Sequence, residues 1–167
     1  RPVRRVFNAV DLSRYGRLND GFWINMEKRV RRQLTINGHG VAECDFSAFM
    51  PRALYHQLGH DWQGDPYLPP RSVQLAERKG FPLSRLRNGM KTLVNVLFSC
   101  DRERTLREIP HLNIGELMTK QKAIDHIAEY HPLLVPHFWT GIGMELTRRE
   151  PDLMVTMLMD FFERGIT

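Results

Sequence analysis

Two groups of side chains in this 167-residue chain have the types and spacing that chemistry requires. The first is Asp45, in the stretch "AECDFSAFMPR" at 42–52, where a strand-like run ends on a carboxylate and Arg52 follows seven residues later. Such an aspartate caps the next helix, or it serves as a ligand for a hard cation such as Mg2+. That ion takes one or two carboxylates and completes its shell with substrate phosphates. The second group is Arg87, Lys91, Asn95 and Ser99, which recur every four residues and therefore share one face of a helix. An arginine fork and a lysine point charge one turn apart suit a triphosphate lying along the helix; the plainer alternative is a solvated face.

Other chemistries lack their patterns. The seven histidines include no HExxH pair, and Cys44 and Cys100 have no nearby partner at metal-ligand spacing. Ser47 is not in a GxSxG elbow, and neither a Walker loop nor GxGxxG occurs. Two cysteines in apolar segments read as reduced, buried thiols of an intracellular, cytoplasmic protein.

These groups need elements to hold them. Asn37-Gly38 marks a hairpin turn in "LTINGHGVAECDFS", with Leu34 and Ile36 before it and a second strand expected to run through Val41, Ala42 and Cys44 to Asp45. Pro51 suits the first turn of the helix that follows, and "DWQGDPYLPPR" reads as a loop. A helix from about Ser84 buries Leu86, Met90, Leu93, Val94 and Leu97 opposite the polar face. A second helix in "IGELMTKQKAIDHIAEYHP" turns Ile124, Ile127 and Ala128 inward. In a last helix, "DLMVTMLMDFFERG", Leu153, Met157, Leu158, Phe161 and Phe162 form a face expected to be core, with Gly165 as its C-cap.

Hydrophobic residues make up 42% and charged residues 26%, a balance that excludes a largely disordered chain. No apolar run approaches a membrane span, so no membrane partner is expected. The net charge of +5 is uneven: residues 1–90 hold 15 basic against 8 acidic residues, and the remainder 9 against 11. A basic front half suits a polyanion, although "EKRVRRQ" at 27–33 is equally a solvated helix face.

In order, these pieces resemble the palm and fingers of single-subunit nucleic-acid polymerases, the family-A DNA polymerases and phage-type RNA polymerases. "CDFSAFMPR" is similar to the first palm motif D-Y-S-x-x-E-x-R, with Asp45, Phe46, Ser47 and Arg52 at matching positions. "RNGMKTLVNVLFS" resembles the fingers helix R-x-x-x-K, and "AIDHIAEYHPLLVPHFW" a later family stretch. "GRLNDGFW", "DFSAFMPRALY" and "FWTGIGMELT" look like a series shared by plasmid- and phage-associated bacterial polymerase-like proteins.

The resemblance implies an α+β fold, with a small antiparallel palm sheet, packed helices and a fingers-type helix. It implies palm-like segments at 1–80 and 132–167 and fingers-like helices at 81–131 within a single domain. Asp45 would be the catalytic carboxylate and metal ligand, with Mg2+ as cofactor in a two-metal site. Arg87, Lys91, Asn95 and Arg52 would bind the nucleoside triphosphate; Arg17, Trp23, Lys28, Arg29, Arg31 and Arg32 would touch a DNA or RNA template-primer.

The chain departs from the family pattern at three places. Met50 stands where the DNA polymerases carry Glu, Asn95 and Ser99 where they carry an aromatic and a Tyr, and the closing His-Asp motif is not in these residues. Two-metal transfer needs a second carboxylate. The expectation is therefore a fragment of a longer template-directed nucleotidyltransferase, inactive by itself. The rivals are a non-catalytic nucleic-acid-binding protein on a degenerate palm and a protein-interaction domain.

Overall fold

The computed structural model describes residues 4–6, 16–43 and 45–165. Among them the fold is mixed α+β, with six α-helices and two small antiparallel two-stranded sheets. The chain divides into two compact units. One comprises Ala48–Leu146, and the other is drawn from 1–47 and 147–167.

The Ala48–Leu146 unit is helical: α2 (Phe49–Gln57), α3 (Pro70–Arg78), α4 (Leu83–Ser99), α5 (Lys120–Tyr130), a 3-10 turn (Val135–His137) and the start of α6 (Ile142–Glu163). Its core forms around α4, which buries Leu86, Gly89, Met90, Leu93, Val94, Leu97 and Phe98. These positions step by three and four residues, as a helix with one stripe against a core must. Leu54 and Tyr55 of α2, Ala76 of α3 and Ala123 and Ile127 of α5 join the same cluster.

Local chemistry sets the helix ends. Pro70 occupies the first turn of α3, where its missing N–H costs nothing. The Thr119 side chain caps α5 by accepting from the Lys122 N–H at 3.2 Å. At the far end of α4, the Leu97 and Cys100 carbonyls accept from the Trp139 and Gly141 amides at 2.6 and 2.9 Å. Carbonyls that a helix end would leave without partners are thus satisfied by the chain leading into α6.

The other unit contains β1 (Arg4–Val6) paired antiparallel with β2 (Arg17–Asn19), the short helix α1 (Lys28–Arg31), the hairpin β3 (Thr35–Ile36) and β4 (His39–Gly40), and residues 147–163 of α6. Every buried hydrophobic side chain of the described residues belongs to Ala48–Leu146, so charge pairs take the place of a core here. Arg5 donates to Asp152 at 2.7 Å, to the Arg148 carbonyl at 2.9 Å and to the Gly16 carbonyl at 2.8 Å. Arg148 reaches the same aspartate at 2.5 Å. These two arginines hold the Asp152 carboxyl below its usual range.

Several expectations change. The Asn37-Gly38 turn is present with both residues at positive φ, as a tight hairpin requires. Its second strand, however, ends at Gly40, and Asp45 lies in irregular backbone. Two ladder pairs cannot hold an extended strand through 41–43 when no further pairing occurs among the described residues. Cys44 lies outside the described residues. Residues 70–78, read in part as loop, form α3. The final helix begins ten residues earlier than expected and runs through Pro151. Its expected core face is exposed, with Phe162 at 72% and Leu158 at 55%. Gly165 does close it, at positive φ, with its N–H on the Phe162 carbonyl at 3.0 Å.

Gly89 is where α4 meets the 109–118 segment. A methyl group added there would sit 2.5 Å from the Leu112 carbonyl oxygen and 2.7 Å from Ile114. Backbone cannot retreat as a flexible side-chain tip does. Gly89→Ala therefore lowers stability by about 1–3 kcal/mol, read as a lower urea midpoint; an unchanged midpoint would mean this contact is not close.

Candidate functional site

The expected nucleotide-binding residues all lie in the Ala48–Leu146 unit, and Asp45 lies in the other. Burying Leu86, Met90, Leu93 and Leu97 turns Arg87, Lys91 and Asn95 away from the core. Arg87 and Asn95 are half-buried and Lys91 is exposed. Lys91 makes no ion pair or hydrogen bond with a described residue. Arg87 is engaged: its Nε donates to the Asp65 carboxylate at 2.5 Å, and its guanidinium lies 5.2 Å from the Tyr67 ring centre, over the ring. Arg52, one turn into α2, spans the same loop by donating to the carbonyls of Trp62 at 2.9 Å and Gly64 at 2.8 Å.

The loop at 61–67 is a built feature. Pro66 supplies the fixed φ of a turn in which the Leu68 N–H returns to the Asp65 carbonyl at 3.2 Å. The Asp65 side chain accepts from the Tyr67 N–H at 3.0 Å, an Asx turn. His131, at the end of α5 and 1% exposed, holds the Pro66 carbonyl through Nε2 at 2.8 Å. A carbonyl only accepts, so Nε2 carries the proton and Nδ1 must accept from the Tyr55 hydroxyl, 2.9 Å away. Trp62 stacks on Tyr55 with ring centres 4.7 Å apart and meets Tyr130 edge-on at 4.9 Å. None of Tyr55, Trp62, Asp65, Tyr67 and His131 was singled out for a site from sequence. The one available signal was Asp-Pro in "GDPYLPP", the mark of a turn that fixes its own carboxylate.

Burial raises the Tyr55 and Tyr67 hydroxyls to about 12, so both remain protonated donors at neutral pH. Burial lowers His131, and the Pro66 carbonyl only partly opposes this. Burial likewise lowers His126, aided by the charges of Arg71 and Lys122; Ser72 Oγ lies 2.7 Å from its Nδ1.

Asp45 is exposed, and Ala48, three residues on, holds a left-handed conformation with φ 52° as α2 begins. One exposed carboxylate does not fill the shell of a hard cation. Among the described residues no group of three or more acidic, histidine or cysteine side chains converges on a metal position. The residues described therefore do not by themselves build a magnesium centre.

The basic residues expected at nucleic acid lie in the unit without a core. Arg17 on β2 faces Glu150 at 3.7 Å, and Arg31 pairs with Glu43 at 2.7 Å. Lys28, Arg29 and Arg32 are exposed, with no ion pair to a described residue. Phe22 and Trp23 stand edge to face, ring centres 5.1 Å apart, 65% and 41% exposed. Trp23 covers Gly21, where an added methyl would meet its ring at 2.8 Å.

Comparison with known protein families, with functionally characterised proteins and with solved structures yields no match. No helix among the described residues is long and apolar enough to cross a membrane.

His131 and His126 stay neutral in the folded chain at pH values where the unfolded chain protonates them. Stability is thus fully present above their ordinary value of 6.5 and falls as the pH drops through it. Urea unfolding between pH 7.5 and 5 shows the loss, up to about 1.4 kcal/mol per pH unit for each histidine. At pH 7.5, Tyr55→Phe costs about 1–3 kcal/mol by leaving the buried Nδ1 without a donor; full stability in that variant would refute the deduced tautomer.

Proposed function

We propose that this chain binds a nucleoside triphosphate and a nucleic-acid strand as the palm and fingers portion of a template-directed, polymerase-like nucleotidyltransferase acting inside the cell. The observation that carries this reading is the outward face of α4. Arg87 is fixed in place, and Lys91, one turn along and exposed, makes no ion pair with a described residue, which leaves its charge for an incoming anion. A triphosphate along this face meets a planar donor and then a point charge at the i, i+4 spacing of neighbouring helical side chains. Asn95, one turn further, adds an uncharged donor and acceptor.

The resemblance of "CDFSAFMPR" to the first palm motif makes Asp45 the carboxylate for Mg2+ in the intact parent. Chemistry by two metals needs more acid than the described residues offer. The chain alone is expected to bind without catalysing transfer.

Isothermal titration with a deoxynucleoside triphosphate and with inorganic triphosphate, at low salt, tests the reading. Lys91→Ala weakens both by about tenfold, the scale of one charge-assisted contact. Equal affinity in the variant, or no binding by the parent chain, removes the nucleotide reading.

The second reading is a non-catalytic nucleic-acid-binding protein, favoured by the exposed Phe22 and Trp23 pair in the same unit as Lys28, Arg29 and Arg32, which make no ion pair with a described residue. Aromatic faces take unstacked bases while lysine and arginine take phosphates. Replacing these three cations with alanine reduces the salt slope of oligonucleotide binding by about 2, at roughly 0.7 per phosphate contact on a single strand. An unchanged slope would place any binding elsewhere.

A further inference from the structure

We infer that Asp65 and Tyr67 are positioning residues for phosphate recognition: they hold the Arg87 guanidinium by its inner edge and leave its terminal nitrogens free to grip a phosphate. This deepens the triphosphate reading and rests on it. The geometry supports it in three steps.

The Asp65 carboxylate is fixed before it meets the arginine. One oxygen accepts from the Tyr67 amide at 3.0 Å, inside a turn set by Pro66. That turn is tied down from both sides, by His131 at the Pro66 carbonyl and by Arg52 at the carbonyls of Trp62 and Gly64. A carboxylate held this way can set the direction of a partner side chain.

The contact to Arg87 then uses Nε. The second Asp65 oxygen accepts there at 2.5 Å, and neither terminal nitrogen hydrogen-bonds to a described residue. A carboxylate that occupied the arginine fully would take two parallel N–H groups. Here the fork that recognises phosphate bidentately stays open. The ring of Tyr67, 3% exposed, packs against the guanidinium, its centre 5.2 Å from the central carbon, and limits how far it can swing.

Finally, binding gains from order already present. A long arginine side chain gives up rotamer freedom when it grips a ligand, and one already held gives up less. The arrangement also separates the roles of Arg87 and Lys91. Arg87 is pre-set, whereas Lys91 is a mobile charge that follows the anion.

Positioning and simple charge predict opposite signs for one substitution, which makes the inference testable on the intact chain. Asp65→Asn keeps the turn's acceptor and removes a negative charge next to the anion. Coulomb attraction alone predicts tighter triphosphate binding, whereas loss of positioning predicts binding weaker by about tenfold. We expect weaker binding of inorganic triphosphate by isothermal titration, with the urea midpoint measured alongside to confirm folding. In an Arg87→Ala background, Asp65→Asn has no further effect, because the pair acts as a unit.

Arg87→Lys is the second variant, exposed enough to fold. It keeps the charge but has no separate inner donor, so it loses affinity about as far as Arg87→Ala. Unchanged or tighter binding by Asp65→Asn, or full affinity in Arg87→Lys, overturns the positioning role while leaving the phosphate site standing. If Arg87→Ala itself binds triphosphate like the parent, the phosphate reading of α4 fails, and the positioning role goes with it.

Discussion

The helical repeat of α4 is the constraint on which the rest of the Ala48–Leu146 unit depends. Side chains four residues apart differ by about 40° around the axis, so burying Leu86, Met90, Leu93 and Leu97 fixes where everything else on the helix must point. Arg87, Lys91 and Asn95 form a row beside that stripe, which is why Arg87 and Asn95 are half-buried while Lys91 is exposed. Gly89 belongs to the buried stripe and allows the Leu112 carbonyl to come close. The polar row cannot turn toward the core, nor the core stripe toward solvent, without losing the burial that makes the helix stable.

Core packing does not by itself position the loop at 61–67, which turns on polar contacts made by three different elements. Arg52 of α2, Arg87 of α4 and His131 at the end of α5 each hold a different part of it. Several of these groups are buried, and buried polar networks carry high stakes: when complete they specify one geometry, and when broken they leave a costly unpaired group. His131 shows this most sharply. With its Nε2 proton committed to Pro66, the Tyr55 hydroxyl has one role, and protonating the ring would put two donors face to face until the hydroxyl turned.

Much of α4 was legible in the sequence, from its start near Leu83 to the separation of its apolar and charged rows, because a single amphipathic period states both. The Asn37-Gly38 turn was equally plain, since few residue pairs accept positive φ twice. The loop that holds Arg87 was not, because its partners lie 10 to 65 positions apart and only the fold brings them together. Helix α3 is hidden by the Pro-Pro pair, a loop signal whose second member in fact opens the helix. The apolar face of α6 taught the opposite lesson. Periodicity says that Leu153, Met157 and Phe161 share a side, but it does not say that anything covers them, and here they are exposed.

The two units are held by different physics, and this shapes how any anion binding should respond to salt. A core of buried leucines and aromatics is insensitive to ionic strength, whereas the Arg5, Arg148 and Asp152 cluster and the Arg17 to Glu150 pair are screened by it. Phosphate contacts by Arg17 or Arg31 would have to displace Glu150 or Glu43 first, so those two arginines gain less from a polyanion than their charge suggests. Lys28, Arg29 and Arg32 carry no such cost among the described residues. The contribution of each cation to nucleic-acid binding therefore follows from what it already holds, and counting basic residues in the front half overstates the charge available to a polyanion.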